Sequence, residues 1–204
     1  MISSTTYLVF VGASMALVLI PGPNHLYIAT RGIAQGPSAG LASAMGVEIG
    51  TLVHIAAAAA GLSYVISQSA TLFAVVKWAG VAYLFYLGVR AFTGGEEAGG
   101  TPPPQPLRKV FMEGVVVNVL NPKVALFFLA FLPQFVDPDA GSPALQIVLF
   151  GLTLLLLGLI SDIVYALAAG ALGTRLRRHA RTLRHLSGVV YLGMGVATAF
   201  AGRK

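Results

Sequence analysis

The stretch FMEGVVVNVLNPKVALFFLAFLPQFV, residues 111–136, is apolar along most of its length and is interrupted by Asn121-Pro122-Lys123. Proline has no backbone N–H, so inside a helix it leaves the carbonyl four residues earlier, here that of Asn118, without its partner. The stretch therefore predicts a helix that is broken in the middle.

A second apolar stretch, residues 5–31, has a similar interruption at Pro21-Gly22-Pro23-Asn24. Pro21 frees the carbonyl of Leu17 in the same way. Such carbonyls cannot face lipid, so they have to meet protein, water or a ligand. Paired breaks in the two halves of an apolar chain are typical of a substrate site near the middle of a bilayer. Proline kinks that only shape helix packing are the alternative.

The composition predicts an integral membrane protein. Of the 204 residues, 56% are hydrophobic and 10% are charged, and the mean hydropathy is +0.82. Soluble domains carry about 25% charged residues, so this chain has too few to cover a surface that faces water. The absence of cysteine excludes disulfides and thiol catalysis. Residues 1–7 carry no positive charge, so we expect the first span to be retained rather than cleaved as a signal.

Six stretches come close to the roughly 20 apolar residues that a helix needs to cross a bilayer. They are residues 5–31, 38–66, 71–92, 111–136, 143–172 and 186–201. We therefore expect an all-α integral membrane protein with six transmembrane helices, of which the first and the fourth are broken.

These six spans fall into two groups of three. The linker between them, residues 93–110, includes GGEEAGGTPPPQP (94–106), in which nothing is expected to pack. Residues 1–92 and 111–204 then form two three-helix repeats. Because three is odd, the second repeat enters the membrane in the opposite orientation. The prediction is an inverted repeat, unless the two breaks correspond by accident.

Basic residues predict the orientation of the chain. Arg31, Arg90, Arg108 and Lys109 lie near the loops after the first and third spans, and five arginines between 175 and 184 follow the fifth. Positively charged loops stay in the cytoplasm, so both termini are expected outside, although two basic residues at the extreme C-terminal end mildly contradict this. The net charge of +6 is then a topology signal, and we expect no nucleic-acid binding.

The breaks also supply the residues expected to bind a substrate. The segments that begin near Asn24 and Lys123 present helix N-termini, which favour a carboxylate. Asn118 and Asn121 are one turn apart and predict amides that face inward, with an interhelical hydrogen bond as the alternative. Lys123 lies deep in the predicted span, where a charge needs a partner or a water-filled cavity.

Asp162 and Glu48 are the candidates for proton coupling. Asp162 shares a helix face with Gly158, Ala166 and Gly170, so we expect it to point into the bundle. An acid inside the membrane is by default a proton or cation site, and a structural ion pair is the alternative. The four histidines show no zinc-like spacing and no phosphate-binding glycine loop is present, so we expect no metal and no cofactor.

Several motifs are shared with a known family. They are Pro21-Gly22-Pro23-Asn24, the segment 53–62, Lys77 with Gly80-Val81-Ala82-Tyr83-Leu84 and Gly88, and Asn121-Pro122-Lys123 continuing to Leu132-Pro133-Gln134-Phe135-Val136. With these motifs the chain resembles, over essentially its whole length, the LysE/RhtB family of bacterial amino-acid exporters. The last motif, with its Pro-Gln-Phe ending, is the most specific.

The resemblance implies a six-helix exporter of amino acids or related small metabolites in the bacterial cytoplasmic membrane. It implies a homodimer that is driven by the proton-motive force, and it leaves the particular amino acid open. The residues that match the family's motifs are Pro21, Gly22, Pro23, Asn24, Asn121, Pro122 and Lys123. A metal-ion exporter is the nearest alternative, followed by a non-transporting membrane scaffold, while no nucleophile or metal constellation supports an intramembrane enzyme.

The predicted orientation can be tested with an introduced cysteine, because the chain contains none. A cysteine in place of Ser187 lies on the arginine-rich side, so we expect it to resist an impermeant thiol reagent added to intact cells. The same cysteine should react once the membrane is permeabilised. Labelling in intact cells would contradict the orientation.

Overall fold

The computed structural model describes residues 2–19, 21–62, 70–93, 103–178 and 180–200, and every regular element in these ranges is helical. The helices are α1 Ser4–Leu19, α2 Pro23–Gln35, α3 Pro37–Ala57, α4 Ala70–Thr93, α5 Leu107–Val119, α6 Pro122–Leu126, α7 Pro143–Arg178 and α8 Ala180–Phe200. A π-helix, Ala58–Leu62, continues α3. A second π-helix, Phe127–Phe131, and then a 3-10 helix, Leu132–Phe135, continue α6. The expected all-α fold is confirmed.

Both predicted helix breaks are present. The axes of α1 and α2 differ by 46°, and those of α5 and the extended α6 differ by 44°. In each case a proline occupies the first turn of the second helix, where its missing N–H costs no hydrogen bond. The prolines therefore end one helix and begin the next.

The membrane spans are supported in part. Pro37–Gly61 and Pro143–Ala169 are each long and apolar enough to cross a membrane, and the number rises to four if each bent pair is one span. Large apolar side chains are exposed, for example Leu8 at 68% and Leu145 at 72%. Such exposure is expected on a surface that faces lipid. The six-span inverted repeat stays a prediction.

Two expectations about the polar segments are wrong. The arginines between 175 and 184 were expected in a loop, but α7 runs to Arg178 and α8 begins at Ala180. Arginine is a good helix former, so both helices extend past their apolar parts. The linker was also expected to pack nowhere, yet the carbonyls of Pro103 and Gln105 accept hydrogen bonds from α2. Residues 94–102 lie outside the described ranges.

Small residues bring α3, α5, α2 and α7 into close contact. A Cβ on Gly46 of α3 would overlap the Phe111 carbonyl of α5, and one on Gly50 would come within 2.7 Å of Asn118. In α2, a Cβ on Gly32 would lie 2.6 Å from the Ala169 side chain of α7. Close backbone approach of this kind drives helix association in lipid, and it packs α3 against α5 and α2 against α7.

Aromatic rings from α1, from the extended α6 and from α7 pack together in a cluster. Phe10 of α1 is fully buried, and its ring centroid lies 4.5 Å from that of Phe150 in α7 and 5.2 Å from that of Phe135. The hydroxyl of Tyr7 lies 3.0 Å from that of Thr153. This cluster fixes α1 and the extended α6 against α7.

The close contact at Gly46 predicts a large effect of a single methyl group. Gly46→Ala should push α5 away from α3 and cost about 2 kcal/mol, or about 5 °C in Tm. A matched control is Gly12→Ala in α1, where nothing lies within 4 Å of the added Cβ. Thermal unfolding of the purified variants in detergent measures both effects, and equal Tm values would contradict the packing.

Candidate functional site

A chain of three amides joins the two helix breaks. Asn121 Nδ2 donates to Asn24 Oδ1 at 2.7 Å, and Asn24 Nδ2 donates to Asn118 Oδ1 at 2.9 Å. The fully buried Asn118 then donates through Nδ2 to the Val47 carbonyl and to Thr51 Oγ1 of α3. The breaks, distant in sequence, therefore meet at one place and are tied to α3.

Two of the carbonyls freed by proline have a hydrogen-bond partner in another helix, and that of Asn118 also accepts from the backbone N–H of Asn121 at 2.9 Å. Lys123 Nζ donates to the carbonyl of Leu17 at 2.8 Å, the group that Pro21 deprives of its helical partner. His54 Nε2 lies 3.1 Å from the carbonyl of Asn118, which Pro122 frees. A carbonyl can only accept, so Nε2 of His54 carries the proton. The requirement that no backbone polar group faces lipid is met by basic side chains at each break.

A cavity of about 60 Å³ lies at this junction. Its polar lining consists of Asn24, His25, Glu48, Thr51, Asn121, Lys123 and Asp162, and its apolar lining consists of Leu17, Val18, Val47, Val124 and Leu154. Gly22 and Gly158 complete the wall. This space admits a few water molecules and is too small to enclose a whole amino acid without movement of the helices around it.

Asp162 is held by His25 of α2. His25 Nε2 lies 3.4 Å from Asp162 Oδ1 and 3.2 Å from Ser161 Oγ. The backbone N–H of Gly22 donates to His25 Nδ1 at 3.3 Å, so Nδ1 is an acceptor and the proton of the neutral imidazole is on Nε2. His25 therefore turns its Nε2–H toward Ser161, with which it forms the hydrogen bond, and lies beside Asp162.

Glu48 lies next to Asp162 and Thr51. A Cβ on Gly158 would come 2.8 Å from Glu48 Oε1, so this glycine makes room for the carboxyl group. Glu48 is 6% exposed, and its Oε2 has no hydrogen-bond partner among the described residues. A buried oxygen in this state costs free energy until it meets a donor.

The structure brings most of the predicted site residues together. Gly22, Asn24, Asn121, Lys123, Glu48 and Asp162 line the cavity. Asn118 does not line the cavity but accepts a hydrogen bond from Asn24. Pro21, Pro23 and Pro122 shape the breaks. Sequence reasoning missed His25 and Thr51. The position of His25, directly after Asn24 at the start of a helix, was the available signal.

A second polar cluster joins α2 to α5 about two helical turns beyond Asn24. Arg31, which is only 5% exposed, donates from Nη2 to Glu113 Oε2 at 2.6 Å. The Tyr27 hydroxyl donates to the Val110 carbonyl at 2.7 Å and lies 3.2 Å from Glu113 Oε2. From the sequence, Arg31 is expected only as a charge near a loop. Its partner Glu113 was visible as an acid inside an apolar stretch.

The amide chain predicts a measurable loss when Asn118 is replaced. Asn118→Leu removes three hydrogen bonds at about 0.6 kcal/mol each, so unfolding should cost about 2 kcal/mol less and Tm should fall by about 5 °C. Val116→Leu is a matched control on the exposed face of the same helix. Thermal unfolding in detergent measures the difference, and an unchanged Tm for Asn118→Leu would show that the amide chain does not stabilise the fold.

Comparison with known proteins identifies the family. Residues 15–202 match the model of the LysE type translocators. A leucine efflux protein from Klebsiella pneumoniae is 28% identical over 200 residues, which cover 95% of this chain and 94% of the relative. One from Enterobacter sp. is 29% identical, with 93% of each chain covered.

An uncharacterised membrane protein from Pseudomonas aeruginosa is 30% identical over 214 residues, with 97% of this chain and 96% of the relative covered. No solved structure matches the chain. The family model spans both helix breaks and the acids of α3 and α7, and it confirms the resemblance found in the sequence as well as the interpretation as a transporter rather than an enzyme. The chain belongs to the LysE type translocator family.

Proposed function

We propose that this protein exports amino acids, with aliphatic ones preferred, across the bacterial cytoplasmic membrane in exchange for protons. The observation that carries this proposal is the cavity in which Lys123, Glu48 and Asp162 meet at the junction of the two helix breaks. The relatives that are named leucine efflux proteins support the substrate class.

Lys123 is the proposed ligand of the substrate carboxylate. It is 7% exposed, and its Nζ donates to the Leu17 carbonyl at the first break. A Cβ on Gly22 would lie 3.4 Å from this Nζ, so the glycine leaves the ammonium group approachable from the cavity. A charge-assisted hydrogen bond to a carboxylate is stronger than one to a carbonyl. A substrate carboxylate therefore competes well for the lysine.

Asp162 and Glu48 are the proposed sites of the coupled proton. Two carboxylates side by side repel each other, so the pair favours taking up one positive charge. Both acids face the cavity from α3 and α7, where a change in helix packing alters their access to water. A metal cation fits this site less well than an amino acid, because it brings no negative charge to balance Lys123 beside the acids.

Aliphatic residues form the remaining wall. Leu17 and Val18 come from α1, Val47 from α3, Val124 from α6 and Leu154 from α7. An apolar substrate side chain that packs here gains about 0.8 kcal/mol for each buried CH₂ group. This lining favours a leucine-like side chain over a charged one.

The proposed architecture has six spans in two inverted repeats, residues 1–92 and 111–204, with both termini outside and a homodimer as the assembly. The bent pairs α1–α2 and α5–α6 support it, since they supply the broken first and fourth helices that such transporters use. Two repeats that move against each other give access to the cavity from alternate sides.

Transport in inverted membrane vesicles tests the proposed function. A panel of amino acids is offered with and without a pH gradient, and uptake of leucine and its aliphatic neighbours is expected to accelerate with the gradient. No uptake of any amino acid above that of vesicles without the protein would contradict the proposal.

Two variants separate the proposed roles. Lys123→Ala should weaken leucine binding by about tenfold or more, because one charge-assisted hydrogen bond is lost. Asp162→Asn should keep exchange when the substrate is saturating but lose acceleration by the pH gradient. Reconstituted liposomes allow both measurements on the same preparation.

Exposed residues of matching charge provide the controls for these variants. Lys109→Ala and Asp139→Asn change residues that are exposed, so both should behave as the unmodified protein. Unchanged affinity in Lys123→Ala removes the carboxylate role, and normal gradient-driven efflux by Asp162→Asn removes the proton role.

A further inference from the structure

The cavity contains groups of both charges on different helices. Lys123 reaches it from α6, Glu48 from α3 and Asp162 from α7. A free amino acid also carries both charges, a carboxylate and an ammonium group one carbon apart. The proposed function uses only the first of these groups to hold the substrate.

We infer that Glu48 and Asp162 bind the α-ammonium group of the exported amino acid, and that this ammonium group and the coupled proton occupy the carboxyl pair in turn. The inference rests on the proposed function and deepens it. It makes the two acids substrate ligands, and it explains why substrate and proton move in opposite directions.

The strongest evidence that the two acids bind an ammonium group comes from Glu48. Its side chain is more than nine-tenths buried, it lines the cavity, and its Oε2 has no hydrogen-bond partner among the described residues. The acid thus has an oxygen that lacks a donor, and an ammonium group brings three N–H donors. The space that Gly158 leaves beside Oε1 lets the carboxyl group turn toward a ligand.

Asp162 is arranged to act together with Glu48. His25 Nε2 lies 3.4 Å from Oδ1, and His25 Nδ1 accepts the hydrogen bond of the Gly22 N–H, so that nitrogen carries no proton. The other titratable groups that face the pair are Lys123 of α6 and, through its ring contact with His25, Tyr165 of α7. Lys123 is therefore the cation that the described neighbours supply to two acids.

Shared occupancy couples the two fluxes without a separate device. When the ammonium group binds, the proton held by the pair leaves to water, and when the amino acid leaves, a proton can return. The carboxylate at Lys123 takes no part in this exchange. A compound with the carboxylate and side chain but no amino group should therefore bind without releasing a proton.

Binding of L-leucine and of 4-methylpentanoate, which lacks the amino group, tests this directly. Calorimetry on the purified protein in two buffers with different ionisation enthalpies counts the protons released. Leucine is expected to release protons and to bind up to about tenfold more weakly for each unit of decreasing pH. 4-Methylpentanoate should release none, and equal release by both compounds would overturn the inference.

A conservative variant locates the effect. Glu48→Gln should weaken leucine binding by about tenfold or more. The variant should bind 4-methylpentanoate with the affinity of the unmodified protein, and this binding also shows that the variant is folded. Asp139→Asn, a change at an exposed acid, is the control and should preserve both affinities.

The remaining outcomes are also decisive. Retained preference for leucine in Glu48→Gln would overturn the inference, although carboxylate binding at Lys123 would stand. If that variant binds neither compound, the number of protons that leucine and 4-methylpentanoate release from the unmodified protein decides whether the inference holds. If the unmodified protein transports no amino acid, the proposed function fails and the inference fails with it.

Discussion

The hydrogen bond from Lys123 Nζ to the Leu17 carbonyl is the interaction on which the site depends. Pro21 removes the helical partner of that carbonyl, and a bilayer offers no water to replace it. A donor therefore has to come from the protein, from water in the cavity or from a ligand, and in the structure Lys123 of the second break supplies it. One contact satisfies the backbone at the first break and brings a buried cation to the cavity. At the second break, the Asn118 carbonyl meets His54 of α3 and the backbone N–H of Asn121.

The packing around the cavity explains why the site needs helix movement. Gly46 and Gly50 hold α3 against α5, Gly32 holds α2 against α7, and the aromatic cluster around Phe10 holds α1 against α7. Between these contacts the cavity of about 60 Å³ is too small for an amino acid. On the α2–α5 side, the buried Arg31 pairs with Glu113, whose side chain is 33% exposed. A buried charge is costly to leave without its partner, so any opening there has to satisfy Arg31 again.

The sequence predicted the breaks well, because proline acts on its own helix. Pro21 and Pro122 end helices for a local reason, and Lys123 in an apolar stretch indicated a buried partner. The partners themselves could not be predicted, since they come from residues distant in sequence. Arg31 illustrates this limit. By composition it resembled a loop charge, whereas its contact with Glu113 depends on how α2 and α5 cross.

The ends of the helices and the neighbours of Asp162 also show which features the sequence could predict and which it could not. The five arginines between 175 and 184 were expected in a loop because their charge dominates the local composition, yet good helix formers continue a helix beyond the apolar part. His25 was considered only as a metal ligand, and its position beside Ser161 and Asp162 depends on tertiary contacts such as the Gly22 N–H. The family comparison confirms the general function, while the carboxyl pair that faces Lys123 follows from tertiary structure.

An experimental structure with the transported amino acid bound tests the central claim most directly. The account predicts the substrate between the two breaks, with its carboxylate at Lys123, its ammonium group at Glu48 and Asp162, and the cavity enlarged by separation of the helices. A substrate bound elsewhere, or bound with its carboxylate away from Lys123, would contradict the account.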